Sequence, residues 1–352
     1  MKIKFMNGKL GKWIKRIVII LIILGLVAFG AYKLFFNKSH NVEQSAQETL
    51  ENLDSYYMEA TMDFYKGEET RSYNLKVSYE KEETDMFKVS MFDKECEQEQ
   101  IIIKNNVGVY VLTPALNQVY KFDGDWPLNG YKPYLYQSMV DTIKGTSDIS
   151  KLEDGYLIVS TPNFENMPSW ARQEMKMTKE YKPVWVHIYD NNNDVAVKIS
   201  FVKVEFNPSF SDDYFVVENN MIAARENLSE STSSTVYDLP YYPVNSDVDS
   251  SLKEVSNIVV EGETSVVLTY SGNDNFTIIE SLAESYEQLT EIVVNGTIVD
   301  IYGVIGYYVS NNNINKLYFT HNGVSYQIWS DSEDVSTLIE VASGMELADE
   351  VK

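Results

Sequence analysis

Three histidines and one cysteine bound what this chain's side chains can do as metal ligands or nucleophiles. His40 follows an apolar segment, His187 lies inside the strand pattern VWVHIYD and His321 lies in the turn THNG, so the sequence gives none of them a partner ligand at metal-binding spacing. His187, between Val186 and Ile188, reads as a packed or surface residue of a strand rather than a general base. Cys96 stands between Glu95 and Glu97, whose charges raise a thiol pKa, so it reads as inert. The DNNND run at 190–194 has the alternating oxygen donors of a calcium loop. However, Ala196 and Phe201 occupy the region where that loop needs a glycine and a bidentate glutamate, so it reads as a hairpin turn. Acidic pairs such as Glu68-Glu69 and Asp212-Asp213 have no apolar setting to raise a carboxyl pKa for acid catalysis. There is no G-x-S-x-G elbow, phosphate-binding loop or G-x-G-x-x-G. The expectation is a protein that is not an enzyme and has no cofactor or metal.

What remains is apolar and aromatic. The run IIIKNNVGVYVLTPALNQVYKFDGDWP at 101–127 puts Val107, Val109 and Val111 on one side of a strand and Tyr110 and Leu112 on the other, so both faces need cover. Tyr110, Leu112, Tyr120, Phe122 and Trp126, with Phe64 and Phe87 on earlier strands, can line an apolar ligand-binding concavity under a helix carrying Met139. The same residues can also be plain core between sheet and helix.

The elements that position them follow from periodicity. Val42, Ala46, Leu50 and Leu53 recur at helical spacing. EATMDFYKG, TRSYNLKVSYEK, TDMFKVSMFD, IIIK, GVYVLT and QVYKF then read as six antiparallel strands joined by tight turns. PYLYQSMVDTIKG reads as a helix, YLIVST as a strand, 167–181 as ambiguous, and 182–206 as a hairpin turning at Asp190 to Asp194. The first domain is expected over 41–217, followed by a Ser-, Asn- and Glu-rich linker over 218–238. A small α+β domain over 239–352 ends near the helix DVSTLIEVASGMEL, with Asn295-Gly296 and Asn322-Gly323 as hairpin turns.

The net charge of −23 is unevenly placed. Residues 1–38 hold eight of the 29 Lys and Arg and no acid, so the remainder carries 21 basic against 52 acidic residues. Such a surface repels phosphate, which excludes nucleic acid as a partner. The apolar stretch 17–36 is long enough to cross a hydrocarbon core as a helix of about 30 Å. Lys2, Lys4, Lys9, Lys12, Lys15 and Arg16 precede it, so the positive-inside rule places a tail of residues 1–16 in the cytoplasm and the rest outside, tethered to the cell membrane. A signal peptide would need a better cleavage site than Ala28-Phe29-Gly30.

The order of helix, six-strand meander containing IIIKNNVGVYVLTPALNQVYKF, helix, and then KPVWVHIYDNNNDVAVKISFVKVEFNPSFSDDYFVV resembles the LolA/LolB/RseB superfamily, especially LolA-like envelope proteins of Gram-positive bacteria. The resemblance implies an unclosed antiparallel β-barrel with a helix lid, an α+β fold that is mainly antiparallel β, and a cavity for acyl chains or lipoprotein segments. Asp85-Met86-Phe87-Lys88-Val89 keeps the aromatic residue of the carriers' signature but not its arginines. LPYYPV, VVNGTIVDIYG and NGVSYQIWS resemble an uncharacterised module common in Gram-positive bacteria. Two functional expectations follow: a tethered binding protein for an acyl chain or lipoprotein, or a regulatory scaffold docking an envelope protein partner, as RseB-like sensors and amidase-binding germination lipoproteins do.

Overall fold

A computed structural model describes residues 20–25, 42–67, 69–124, 126, 132–144, 148–164, 167–228, 239–244, 248–260, 263–311, 314–331 and 334–347. Residues 42–51 form helix α1, which buries Val42 and Ala46 as their spacing predicts. The meander follows as β1 (Ser55–Lys66), β2 (Glu69–Glu80), β3 (Met86–Asp93), β4 (Glu99–Lys104), β5 (Val109–Thr113) and β6 (Gln118–Phe122), each antiparallel to the next. A 3-10 turn at Pro114–Leu116, closed by Asn117 at φ 56°, joins the last two strands. Next come α2 (Tyr136–Ile143), β7 (Asp148–Lys151), β8 (Gly155–Ser160), β9 (Trp170–Thr178), β10 (Pro183–Asp190), β11 (Val195–Phe206) and α3 (Val217–Glu226). The ambiguous stretch 167–181 is thus mainly strand, because Gln173, Met175 and Met177 alternate inward. β11 closes back onto β1, and the order β6-β5-β4-β3-β2-β1-β11-β10-β9-β8-β7 leaves the sheet open.

The second unit contains β12 (Tyr241–Pro243), β13 (Ser250–Val260), β14 (Glu263–Gly272), β15 (Phe276–Leu282), β16 (Thr290–Val294), β17 (Thr297–Ile301), β18 (Val304–Asn311), β19 (Ile314–His321), β20 (Val324–Ser330), α4 (Val335–Ser343) and β21 (Met345–Leu347). Seven strands form a sheet in the order β13-β14-β15-β20-β19-β18-β17. Asn322 and Gly323, at φ 46° and 75°, make the expected tight turn between β19 and β20.

Two expectations change. Asn295-Gly296 does not close a hairpin. β16 instead leaves its own unit and pairs parallel with β6, Ile292 opposite Tyr120, as the twelfth strand of the first sheet. Gly296 is the crossing point, because a Cβ there would stand 2.6 Å from the Tyr308 carbonyl oxygen. Helix α3 begins at Val217, runs on through residues 218–226 of the stretch read as linker, and packs Met221 and Ala224 onto the first sheet. Of the apolar stretch 17–36, residues 20–25 are helical and the remainder lies outside the described residues. Among the described residues no helix is long and apolar enough to cross a membrane.

Strand register defines two faces. Tyr56, Met58, Met62 and Phe64 of β1, Leu75 and Val77 of β2, Phe87 and Val89 of β3 and Ile102 of β4 share the inner face with α1 and α2. At one end of that face Tyr56 meets Tyr136 of α2, ring centroids 5.9 Å apart. At the other end the β17–β18 turn of the second unit inserts Tyr302, whose ring lies 6.0 Å from Phe64 and 6.2 Å from Trp170. Tyr302 holds φ 50°, uncommon for a bulky side chain, and Gly303 holds φ 92°. The Tyr73 hydroxyl donates to the Tyr302 carbonyl oxygen at 3.3 Å. A Cβ on Gly303 would sit 2.3 Å from the Tyr73 ring. Gly303→Ala is therefore expected to cost about 3 kcal/mol in urea unfolding. Gly67→Ala, at φ 61° in open space, should cost only about 1 kcal/mol. Equal losses would mean that the turn is not seated against Tyr73.

Candidate functional site

The eight residues expected to line one concavity fall in three places. Phe87 and Met139 are fully buried in the helix-covered inner core, and Trp126 belongs to the same cluster. The Phe87 ring packs on Tyr79, which stacks on Tyr56, with centroids 5.0 and 5.2 Å apart. Phe64, Tyr120 and Phe122 face the second unit: Phe64 meets Tyr302, and Tyr120 and Phe122 lie 5.3 and 5.8 Å from Tyr307. Tyr110 and Leu112 point the opposite way, into a separate outer cluster with Ile101, Ile103, Val119, Phe215 and Met221. The cause is register. The Pro114–Leu116 turn sets Tyr110 opposite Lys121 and Leu112 opposite Val119, whereas Val111 and Val109 lie opposite Tyr120 and Phe122. The second apolar face of β5 is thus the floor under α3, and Tyr110 and Leu112 do not share a concavity with the other six.

The remaining space at the junction is small. A cleft of about 210 Å³ lies between Gln100, Val111, Tyr120 and Phe122 of the first unit and Tyr307 and Tyr318 of the second. This is below the few hundred Å³ usual for a lipid-sized ligand. Gln100 clasps the units together: its side-chain amide donates to the Ile305 carbonyl at 3.1 Å and accepts from the Ile305 N–H at 2.8 Å, a copy of a strand pairing. Asn117 holds the chain entering β16, its side-chain amide donating to the Tyr286 carbonyl at 3.0 Å. Burial pushes the Tyr120 hydroxyl up to about 12 and raises that of Tyr307 further, so both stay neutral donors. A wider groove of about 1110 Å³ beside Tyr302 has walls of Tyr65, Trp170, Val195 and Ala196 together with Lys66, Glu69, Asp190, Asp194 and Glu340, and these charged groups disfavour an acyl chain.

The polar residues singled out in the sequence take structural places. His187 stacks on Trp185 at 4.3 Å on a strand surface, and burial together with Lys198 lowers its pKa. Asp190 accepts the N–H groups of Asn192 and Asp194 at 2.9 and 2.8 Å, which makes 190–194 a capped turn. Two carboxyls that the sequence did not mark are the most perturbed carboxyls among the described residues. Glu280 of β15 is fully buried, accepts the Tyr241 N–H at 2.9 Å, and is pushed by burial up to about 7. Asp300 accepts the Gly303 N–H at 2.7 Å, yet burial raises it to about 6. Neither strand pattern nor spacing signals them, because each is a single acidic residue in a strand of otherwise uncharged residues.

Glu280 binds its proton more tightly folded than unfolded, so its contribution to stability is complete below its ordinary value of 4.5 and is lost as pH rises through about 7. Glu280→Gln keeps an acceptor for Tyr241 and removes the ionisation. It should raise stability at pH 8 by on the order of 2 kcal/mol and leave it nearly unchanged at pH 4. Denaturant titrations at the two pH values test this, and an equal change at both would contradict it.

No family model matches the chain. Over 331 residues, covering 93% of this chain and 96% of the other, it is 26% identical to the sporulation protein YdcC of Bacillus subtilis (strain 168). Among solved structures it is similar to the MucA/MucB complex of Pseudomonas aeruginosa, with 9% identity, 84% of this chain and 96% of that chain covered and a TM-score of 0.29. It is also similar to a LolA superfamily protein of Nitrosomonas europaea, with 12% identity, 49% of this chain and 98% of that chain covered and a TM-score of 0.27. These structures come from the LolA- and MucB-type group that the sequence resembles. The half-barrel reading stands on the strand order observed in this chain.

Proposed function

We propose that this chain is a non-enzymatic docking protein of the cell envelope, tethered by residues 17–36 with its folded part outside the cell membrane, which holds a protein partner rather than an acyl chain. The carrying observation is that the inner face is filled: Tyr56, Met58, Met62, Phe87 and Met139 are all at 0% exposure, and the second unit seals the end at Phe64. The tether reading is supported by the basic residues before the apolar stretch and by the outward-facing Ile20 to Leu24, 54 to 61% exposed. The relative named a sporulation protein supports a role in a sporulating cell.

The partner contact we assign is β13. It is an edge strand of eleven residues whose outer backbone groups have no strand beside them among the described residues, and it exposes Leu252, Val255, Ile258 and Val259 on both of its faces. Edge strands with apolar, exposed side chains accept an added strand from another chain, the backbone supplying affinity and alternate side chains specificity.

The full chain in lipid nanodiscs should show no saturable binding of a fluorescent fatty acid or lipopeptide up to roughly 100 μM. In cells, a photocrosslinker replacing Val255 should give a discrete protein adduct that falls at least about tenfold when Ile258→Lys and Val259→Lys are combined. Saturable acyl binding, or an adduct indifferent to the two lysines, would overturn the proposal.

A further inference from the structure

The turn between β3 and β4 and the turn between β19 and β20 belong to different units, yet they meet. Asp93, Cys96 and His321 bring one carboxylate oxygen, one sulfur and one imidazole nitrogen to within 4.8 Å of one another. In sequence these residues look isolated, because His321 is more than two hundred positions from the other two. The fold supplies the constellation.

The geometry points to a zinc site at Asp93, Cys96 and His321 that staples the second unit to the half-barrel. Oxygen, sulfur and nitrogen donors of these types are those zinc takes, and three protein ligands leave a fourth position for water. With zinc bond lengths of about 2.0–2.3 Å, tetrahedral neighbours stand roughly 3.3–3.8 Å apart, so closing on the ion needs donor shifts of about 1 Å. Side chains at turns can make that adjustment without moving the sheets.

The 93–98 turn is built to present its two donors. Asp93 is buried, and its Oδ1 accepts the N–H groups of Glu95 and Cys96 at 2.8 and 3.2 Å. The backbone N–H of Gln98 faces the Cys96 sulfur, and Glu97 takes φ 51° to allow it. Backbone N–H groups aimed at ligand atoms fix their orientation, as outer-shell partners of metal ligands do. Asp93 and a Cys96 thiolate would together match the double positive charge of the ion. Arg71 is a cation close to His321. Arg71 is itself engaged, donating to the Ser343 carbonyl oxygen at 3.1 Å.

The full chain, stripped with EDTA and given zinc alone, is expected to retain one zinc per chain through desalting. Cobalt(II) in its place should show a thiolate-to-cobalt charge-transfer band with tetrahedral d–d bands. Cys96→Ser should abolish that band, and both it and His321→Gln should weaken zinc binding by at least about tenfold. Circular dichroism establishes that the variants are folded. Zinc should raise the unfolding temperature of the unmodified chain and magnesium should not, a readout that needs no variant. Substoichiometric zinc, a cobalt spectrum without the thiolate band, or zinc binding unchanged in folded Cys96→Ser would overturn the assignment.

Discussion

An open sheet with an apolar inner face has to be covered by something, and here much of the cover is the chain's own second unit. The β17–β18 turn seats Tyr302 between Phe64 and Trp170, Tyr73 packs against Gly303, and the side-chain amide of Gln100 pairs with the backbone of Ile305. β16 completes the junction by extending the first sheet beyond β6. Without this seating Phe64, Phe122 and Val111 would face water, at a cost on the order of 1.5–3 kcal/mol for each large side chain. The interior of the half-barrel, its unusual backbone at Tyr302 and the fate of its ligand space therefore depend on one contact between units.

The two covers of the first sheet differ in kind. α1 and α2 lie over one end of the inner face, the second unit over the other, and α3 lies over the outer face of β4, β5 and β6. β5 is buried on both sides for this reason, with all five of its residues buried. A strand covered on both faces reads as a continuous apolar run rather than an alternation, which is what VYVLT does. The acidic excess of the folded part is left to the exposed strand surfaces and turns, whereas β13 gathers four exposed apolar side chains on one strand.

Local chemistry made much of this legible. The meander, the hairpin at Asp190 and the turn at Asn322-Gly323 follow from alternation and turn residues that act over a few positions. What escaped was set over long distances. The sequence pattern groups Tyr110 and Leu112 with Tyr120 and Phe122, whereas the Pro114 turn assigns them to opposite faces, a distinction that needs the register and not only the pattern. α3 buries little more than Met221 and Ala224, too few apolar residues to stand out from linker composition. β16 pairs with β6 although Thr290 and Gln118 are far apart in sequence, and the meeting of Cys96 with His321 is equally non-local. No periodicity encodes such pairings, because they arise from how finished units pack.

The seating of the second unit inside the half-barrel is tested most directly by placing a photoreactive benzoylphenylalanine at position 302 in the full chain and mapping its crosslinks. A seated turn gives adducts within the same chain, to peptides containing Phe64 or Trp170, whether lipid is present or not. Adducts to lipid, or none to those peptides, would contradict the claim that the chain fills its own cavity.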